Sequence, residues 1–288
     1  MPPSPVFMKM DPATASDPSA PYAVLPAPYE RTVCFGQGTA EGPAAILRAS
    51  QEVEDFDEEL RVPVRLRVQT LPALDFHGLS DEAALESIRA AAREVAAQRR
   101  FLLTLGGEHT IAAPLVEAFQ SVYGSLSVLH IDAHADLRTE YRGIRWSHAC
   151  ALRRVRELGV PTVSVGIRSL SLEEYDYIRT EHVPVTWAAE IDDASDVWVD
   201  AVLVGLKSPV YVTLDVDGMD TAIMPGTGTP EPGGLTWRQI TKLLRRLCHA
   251  RHVVGADIVE VAPFPGSVVS EFTAARLAAK LFLYHQQA

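Results

Sequence analysis

The chain has 288 residues, of which 47% are hydrophobic, enough for one large α/β core or two small ones, and we expect one. Its formal net charge of −11 argues against a general affinity for nucleic acid or for an anionic membrane surface. Three scattered cysteines are too few for a disulfide framework in a chain of this size, which favours a reducing compartment. No apolar stretch is long enough to span a bilayer, and no signal segment is visible at the amino terminus. A soluble, cytoplasmic protein is therefore expected.

The first 20 residues differ in composition from the rest of the chain. They are rich in Pro, Ser, Asp and Ala, which predicts a disordered leader for residues 1–20. Met8 and Met10 are further candidate start residues within it. Residues 21–288 are expected to form a single catalytic domain.

Apolar strands and amphipathic helices alternate along residues 21–288. The most regular helix is predicted from Ser80, as its N-cap, to about Arg100, because its apolar residues recur at spacings of three and four. Strands are predicted at 23–25, 65–70, 101–105, 126–131, 162–165, 183–186, 210–214 and 253–259. This alternation predicts an α/β fold of one domain, with three layers, α/β/α, around a mostly parallel central sheet. In such sheets ligands bind at the carboxyl ends of the strands.

Side chains that can bind metal ions follow three of the predicted strands. Asp132, His134 and Asp136 stand at alternate positions just after the strand at 126–131. Clustered carboxylates repel one another unless a cation or hydrogen bonds hold them. His109 follows the strand at 101–105 and Asp215 and Asp217 follow the strand at 210–214, which completes the set of candidate ligands. Four carboxylates and two imidazoles suit two divalent ions, and manganese better than structural zinc.

These motifs together resemble the ureohydrolase family of arginases and agmatinases, and most closely the bacterial agmatinases. The matching stretches are Gly106 to His109, Asp132 to Asp136, Ser147-His148, Asp215 to Asp217, Pro225 to Gly234 and Asp257 to Val261. The resemblance covers the chain from about residue 22 to 285, and the joint order and spacing of the pieces make it specific. It implies the arginase/deacetylase-like version of the three-layer fold.

The resemblance also implies two Mn²⁺ ions per subunit. One ion would be held by His109, Asp132, Asp136 and Asp215, and the other by His134, Asp132, Asp215 and Asp217. By the same resemblance, His148 matches a proton-shuttling histidine and Glu231 matches a glutamate that engages the guanidinium group of the substrate.

Hydrolysis of a guanidinium carbon needs a strong nucleophile, because its positive charge is shared over three nitrogens. Two metal ions about 3.5–4 Å apart can bridge a water and lower its pKa from 15.7 toward roughly 7. In this scheme Asp136 holds the bridging hydroxide and relays its proton, and His148 exchanges protons with solvent. The products would be urea and an amine.

Three departures from the family pattern stand near the motifs. Glu108 occupies the position before the histidine where Asp is more usual. Residues 218–222 replace an expected Asp-Pro pair, and residues 262–270 are also atypical, so the substrate mouth or a subunit contact can differ there.

The loop at 137–147 bears on the substrate. It contains no Asn of the kind with which arginases, by resemblance, read the α-carboxylate of arginine, so agmatine is the expected substrate and urea and putrescine the expected products. Glu140 and Tyr141 are candidates to line the exit for its distal ammonium. Three arginines in the loop leave 4-guanidinobutyrate open, and aminopropylagmatine and arginine are further alternatives.

Other classes of protein were weighed against this interpretation. A metal-dependent amide deacetylase on the same scaffold would bind one metal with a different ligand set, and a non-catalytic binding protein would be expected to lack a ligand position. Cys150 fits a buried structural cysteine better than a nucleophile, and Glu260 fits either a supporting or a structural role. The expected partners are a small guanidine and further copies of the chain, a trimer or hexamer by resemblance, with no nucleic acid and no membrane.

Overall fold

The computed structural model describes residues 5–288. Its strands are β1 (Tyr22–Ala27), β2 (Phe56–Asp57), β3 (Val62–Pro63), β4 (Val68–Thr70), β5 (Phe101–Gly106), β6 (Ser127–Ile131), β7 (Thr162–Ile167), β8 (Val185–Trp187), β9 (Val210–Asp215) and β10 (Val253–Val259). Its helices are α1 (Pro12–Ala15), α2 (Gly42–Ser50), α3 (Asp81–Ala97), α4 (Ala112–Tyr123), α5 (Ala151–Glu157), α6 (Leu172–Thr180), α7 (Val197–Gly205), α8 (Trp237–Ala250) and α9 (Val269–Gln286).

Eight of the strands form one sheet in the order β4-β1-β5-β10-β9-β6-β7-β8. Every neighbouring pair in it is parallel, while β2 and β3 form a separate antiparallel pair. Because the strands are parallel, their carboxyl ends lie at one edge of the sheet. The order places β10 between β5 and β9, and β6 on the other side of β9, so the loops after these strands meet.

Helices cover both faces of the sheet, which gives the three predicted layers. The alternation of side chains along a strand explains this double cover, since successive residues face opposite sides. In β6, Leu129 and Ile131 join the core that includes α8 and α9, whereas Val128 joins the core that includes α3 and α4. A strand buried on both faces reads as a continuous apolar run. The predicted α/β fold with a mostly parallel central sheet is confirmed.

The predicted elements largely agree with the structure. Helix α3 begins after Ser80, whose hydroxyl accepts a hydrogen bond from the backbone N–H of Ala83 at 3.2 Å. Helix α7 and the β2–β3 pair were not predicted. The α7 sequence is rich in valine, which disfavours a helix by propensity, and tertiary packing of Val199, Val202 and Leu203 overrides that preference.

The expected disordered leader is wrong for residues 5–20, and residues 1–4 lie outside the described part of the chain. Phe7 is fully buried, and its ring lies 5.5 Å from that of Phe282 in α9, edge to face. Its backbone N–H donates to the Thr70 hydroxyl at 2.9 Å. One large aromatic side chain therefore anchors a segment whose overall composition suggested disorder. The assignment of the remaining residues to a single catalytic domain stays a prediction.

Among residues 5–288, no helix is both long enough and apolar enough to cross a membrane.

Candidate metal centre

The predicted ligands meet at the carboxyl edge of the sheet. His109 follows β5, Asp132, His134 and Asp136 follow β6, and Asp215 and Asp217 lie at the end of β9 and just after it. All except His134 are buried, and 27% of the His134 side chain is exposed. The tertiary structure thus brings together six side chains that are spread over more than 100 residues of sequence.

His109 is held in one tautomer by a chain of hydrogen bonds. The Thr213 hydroxyl donates to Asp257 Oδ1 at 2.8 Å, so its oxygen can accept a hydrogen bond from the N–H at His109 Nε2, 2.9 Å away. Asp257 is held in turn by Tyr211, whose hydroxyl donates to Oδ2 at 3.0 Å. With its proton on Nε2, His109 presents the lone pair of Nδ1.

The environment of that lone pair fits a cation. Nδ1 of His109 lies 3.1 Å from Asp132 Oδ2, 3.1 Å from Asp136 Oδ2 and 3.5 Å from Asp215 Oδ2. Nδ1 is buried and has no hydrogen-bond partner. An unprotonated nitrogen facing three carboxylates is unfavourable unless a positive ion lies between them. The donor set therefore suits a divalent metal ion.

A second group of ligand atoms shares Asp132 with the first. His134 Nδ1 lies 3.0 Å from Asp217 Oδ2 and 3.6 Å from Asp132 Oδ1. Ligand atoms of Asp132, His134 and Asp217 all lie within 4.8 Å of one another, as do those of His109, His130, Asp132 and Asp136. Two adjacent groups joined by one aspartate make an arrangement that can hold two ions.

Backbone N–H groups fix the free oxygens of the aspartates. The N–H of His134 donates to Asp132 Oδ1 at 2.6 Å, and the N–H of Ala133 donates to Asp217 Oδ1 at 3.0 Å. His130 lies with Nε2 2.9 Å from Asp132 Oδ2. Asp136 has φ +52°, an unfavourable conformation for a residue with a side chain, and such strain is common at functional sites.

The crowding of negative charge changes the acidity of the cluster. Burial raises the pKa of Asp215 well above its usual value, and the neighbouring Asp217 and Asp132 raise it further. Burial and Asp132 raise the pKa of Asp136 to about 6. Burial alone would lower the pKa of His134, but hydrogen bonds to Asp132 and Asp217 raise it to about 12. These shifts follow from the burial and crowding of the carboxylates, which favour positive charge in the cluster, from protons or from metal ions.

A cavity of about 260 Å³ opens over the cluster. Its wall includes His148 and Tyr141, whose rings lie edge to face with centroids 5.7 Å apart. Glu260 also lines it, and the His109 backbone N–H donates to this carboxylate at 2.7 Å. Of the described residues, neither Glu231 nor Glu140 is part of this wall, although Gly228 and Thr229 are.

His148 is held in place by the side chain of Thr32. Its Nδ1 lies 3.0 Å from the Thr32 hydroxyl, and its backbone N–H donates to the same oxygen at 3.1 Å. Burial lowers the pKa of His148 to about 4. His148 is therefore neutral at neutral pH in this environment.

The atypical segments support the loop at the cavity mouth. Asp220 Oδ2 accepts hydrogen bonds from the N–H groups of Gly233 and Gly234 at 2.9 and 3.2 Å. Ser270, which ends the second atypical segment, accepts from the Gly226 N–H at 2.6 Å. Both segments thus hold residues 226–234, the loop that brings Gly228 and Thr229 to the cavity.

Sequence reasoning missed the groups that support the histidines. Thr213 and Thr32 lie outside every motif that we singled out, and a lone threonine carries no sequence signal of this role. Asp257 falls within a matching motif but was given no role. Its position opposite Thr213 depends on the parallel pairing of β9 with β10, in which Asp257 is the register partner of Thr213.

Comparison with known proteins decides the family. A model of the arginase family matches residues 20–284. The chain belongs to the arginase family. It is 39% identical over 280 residues to the N(1)-aminopropylagmatine ureohydrolase of Synechocystis sp., covering 94% of this chain and 91% of that protein. It is 33% identical to the agmatinase of Pyrococcus horikoshii, covering 90% of this chain and 89% of that one.

The solved structures agree with the sequence relatives. This arginase-family chain aligns with the agmatine ureohydrolase of Thermoplasma volcanium at a TM-score of 0.85 and 27% identity, over 96% of this chain and 94% of that one. The predicted resemblance to arginases and agmatinases is confirmed, and so is the prediction of an agmatinase-like ureohydrolase at the level of enzyme class.

Proposed function

We propose that this protein hydrolyses the guanidinium group of a polyamine-type guanidine that bears no carboxylate, with aminopropylagmatine preferred. Water adds to the guanidinium carbon, the bond from that carbon to the substituted nitrogen breaks, and urea and a triamine are released. The observation that carries the proposal is the charge of the cavity wall. Beyond the metal-type ligands, the described wall contains two buried carboxylates, Glu174 and Glu260, and one arginine, Arg138.

Arg138 lies beside one of the acids of the same wall. Its Nε lies 3.6 Å from Glu174 Oε2, so its charge is offset by a buried acid. The other two arginines of the loop are directed elsewhere: Arg142 lies over the Tyr141 ring, 5.2 Å from its centroid, and Arg145 pairs with Glu157 at 2.6 Å. An amine-bearing substrate suits such a wall better than 4-guanidinobutyrate or arginine does.

Within this proposal, Glu260 receives the guanidinium group. It lines the cavity beside His109, whereas Glu231, the residue expected by resemblance, does not line it. Glu260 has φ +66° and one carboxylate oxygen bonded to the His109 N–H. A carboxylate fixed in this way can accept charge-assisted hydrogen bonds from a planar guanidinium through its other oxygen.

The cluster of His109, Asp132, His134, Asp136, Asp215 and Asp217 is proposed to hold two divalent ions, and Mn²⁺ suits its oxygen-rich donor set. When bound, two such ions lower the pKa of a water between them toward about 7. Asp136 has one oxygen near His109 and lines the cavity, so it is placed to accept the proton of the attacking water. Asp136 can pass that proton to the leaving amine, and His148, also on the wall, is assigned the exchange of protons with solvent.

Agmatinases of comparable sequence identity support agmatine as the second candidate substrate. Similar proteins include aminopropylagmatine ureohydrolases at 33–39% identity and agmatinases at 33–34%. Agmatine has the same guanidinium and alkyl chain without the added aminopropyl arm, so the same wall accommodates it.

The test is urea release by the purified protein, stripped of metal and reloaded with Mn²⁺. Aminopropylagmatine should give the highest kcat/KM, agmatine a lower one, and arginine and 4-guanidinobutyrate the lowest values. A preference for 4-guanidinobutyrate or arginine would contradict the charge argument. No urea from any of the four, with metal shown to be bound, would contradict the ureohydrolase assignment itself.

A further inference from the structure

Glu108 is a fully buried carboxylate at the position where the family resemblance expects Asp, and it makes an unusual number of contacts. Its Oε2 accepts the backbone N–H groups of Arg31 and Thr32 at 2.7 and 2.6 Å. Its Oε1 accepts the hydroxyls of Thr32 and Thr110 at 2.8 and 2.6 Å. Four donors on one carboxylate fix both its position and the direction of each bond.

The Thr32 hydroxyl connects this carboxylate to His148. Because its single proton points to Glu108, its oxygen can only accept from other partners. It accepts the His148 backbone N–H at 3.1 Å, which leaves one lone pair for His148 Nδ1 at 3.0 Å. Nδ1 must then carry the proton, and Nε2 of the neutral ring is left with its lone pair. The Ser147 hydroxyl, 3.4 Å from Nδ1, is the more distant neighbour.

We propose that Thr32 and Glu108 are positioning residues that set the tautomer of His148, so that its Nε2 is the proton-accepting atom at the cavity. The proposal rests on the proposed function for the role of His148 in turnover, but the tautomer itself does not depend on it. The arrangement repeats the one at His109, where Thr213 and Asp257 play the same parts. A buried acid, a threonine and a histidine occur twice around one cavity.

Glu108→Gln tests the direction of the hydrogen bonds that connect Glu108, Thr32 and His148, which we call the relay. The two backbone N–H groups need an acceptor, so the amide oxygen takes the place of Oε2 and the amide NH₂ faces Thr32. The amide then donates to the Thr32 oxygen, the Thr32 proton turns to His148 Nδ1, and the His148 proton moves to Nε2. The reversal follows from donor and acceptor counting alone.

The tautomer is measured by nitrogen NMR of histidine-labelled protein loaded with Zn²⁺, which is diamagnetic, with His148→Asn to assign the signals. We expect the proton on Nδ1 in the wild type and on Nε2 in Glu108→Gln. The same tautomer in both proteins would overturn the proposal. This measurement is valid whether or not the protein releases urea, so failure of the relay and failure of the proposed function are distinguishable.

Kinetics then test whether positioning matters for turnover. Thr32→Val keeps the shape of the side chain and removes the hydroxyl, and it should lower kcat about 10–100-fold with KM and bound metal unchanged. Thr32→Ser restores the hydroxyl and should recover most of kcat. Thr110→Val, which removes the other hydroxyl on Glu108 Oε1, is the matched control and should stay within about threefold of the wild type.

A double substitution shows whether Glu108 acts through Thr32. In a Thr32→Val background, Glu108→Gln should lower kcat little further, since the link to His148 is already broken. Fully additive losses, or an equal loss in Thr110→Val and Thr32→Val, would show a structural role only and would overturn the proposal.

Discussion

Nε2 of His109 lies 2.9 Å from the hydroxyl of Thr213, and this contact decides which ring nitrogen faces three carboxylates of the cluster. Since the Thr213 proton is committed to Asp257, the unprotonated nitrogen of His109 is Nδ1, within 3.5 Å of Asp132, Asp136 and Asp215. The orientation of this candidate ligand thus depends on residues that themselves do not face the cavity.

Thr213→Val should weaken metal binding by about 10–100-fold, because it removes the acceptor that orients His109. Thr213→Ser keeps that acceptor and is the matched control. Metal affinity is measured by titration of the stripped proteins with Mn²⁺. Equal affinities in the two variants would contradict this role for the hydroxyl.

Asp132→Ala should lose both ions, since Asp132 has one oxygen in each of the two ligand groups. His148→Ala should keep both ions and lower kcat by about 10²–10⁴-fold, the usual contribution of a general acid or base. Metal content per subunit, measured by elemental analysis, separates the two. Full metal stoichiometry in Asp132→Ala would rule out the shared position of Asp132.

Glu260→Gln should lower kcat/KM by about 10–100-fold, because a charged hydrogen bond to the guanidinium becomes a neutral one. Glu231→Gln should change kcat/KM by less than about threefold, as Glu231 is not part of the cavity wall. Both are assayed with the substrate that gives the highest wild-type rate. A larger loss in Glu231→Gln than in Glu260→Gln would restore the assignment based on resemblance.

Lys280→Met should lower the free energy of unfolding by about 3 kcal/mol, as expected when a buried charge loses its partner. Lys280 is 2% exposed and lies 2.8 Å from Asp57, which is also buried. Arg276→Met is the matched control, since Arg276 pairs at 3.1 Å with the exposed Glu58. This substitution should lower the free energy of unfolding by less than about 1 kcal/mol. Urea unfolding at pH 7 gives both values.

The ion pair of Lys280 and Asp57 contributes to the free energy of unfolding only within a defined range of pH. Burial raises the pKa of Asp57, but the hydrogen bond and charge of Lys280, together with the backbone N–H groups of Leu60 and Glu59, lower it more, so the folded pKa lies below the ordinary 3.8. Burial lowers the pKa of Lys280, but Asp57 and Glu59 raise it above 10.5. The contribution is therefore present between these limits, and it is lost as pH falls through the Asp57 pKa or rises through that of Lys280. A wild-type advantage over Lys280→Met that stayed constant below pH 3 would contradict this.

The sequence by itself determined the alternation of strands and helices and the candidate ligands. Apolar runs, caps such as Ser80 and chemically distinctive side chains are local features, so Asp132, His134 and Asp136 were recognisable together. Helix α7 and the anchored segment at Phe7 were not, because burial against distant residues outweighed local composition there. Propensity is a weak guide when packing decides.

Only the tertiary structure decided how the histidines are oriented and which acids face the cavity. Asp257 supports His109 because β10 pairs with β9 in a register that sets Asp257 opposite Thr213. Glu108 acts on His148 through Thr32, and Thr32 and Glu108 are 76 residues apart in sequence. Glu260 and Glu231 both stand in stretches that match the family, and the sequence does not distinguish them. Glu260 lines the cavity, whereas Glu231 does not. Hydrogen-bond direction and side-chain exposure depend on partners brought together by the sheet, so no local pattern encodes them.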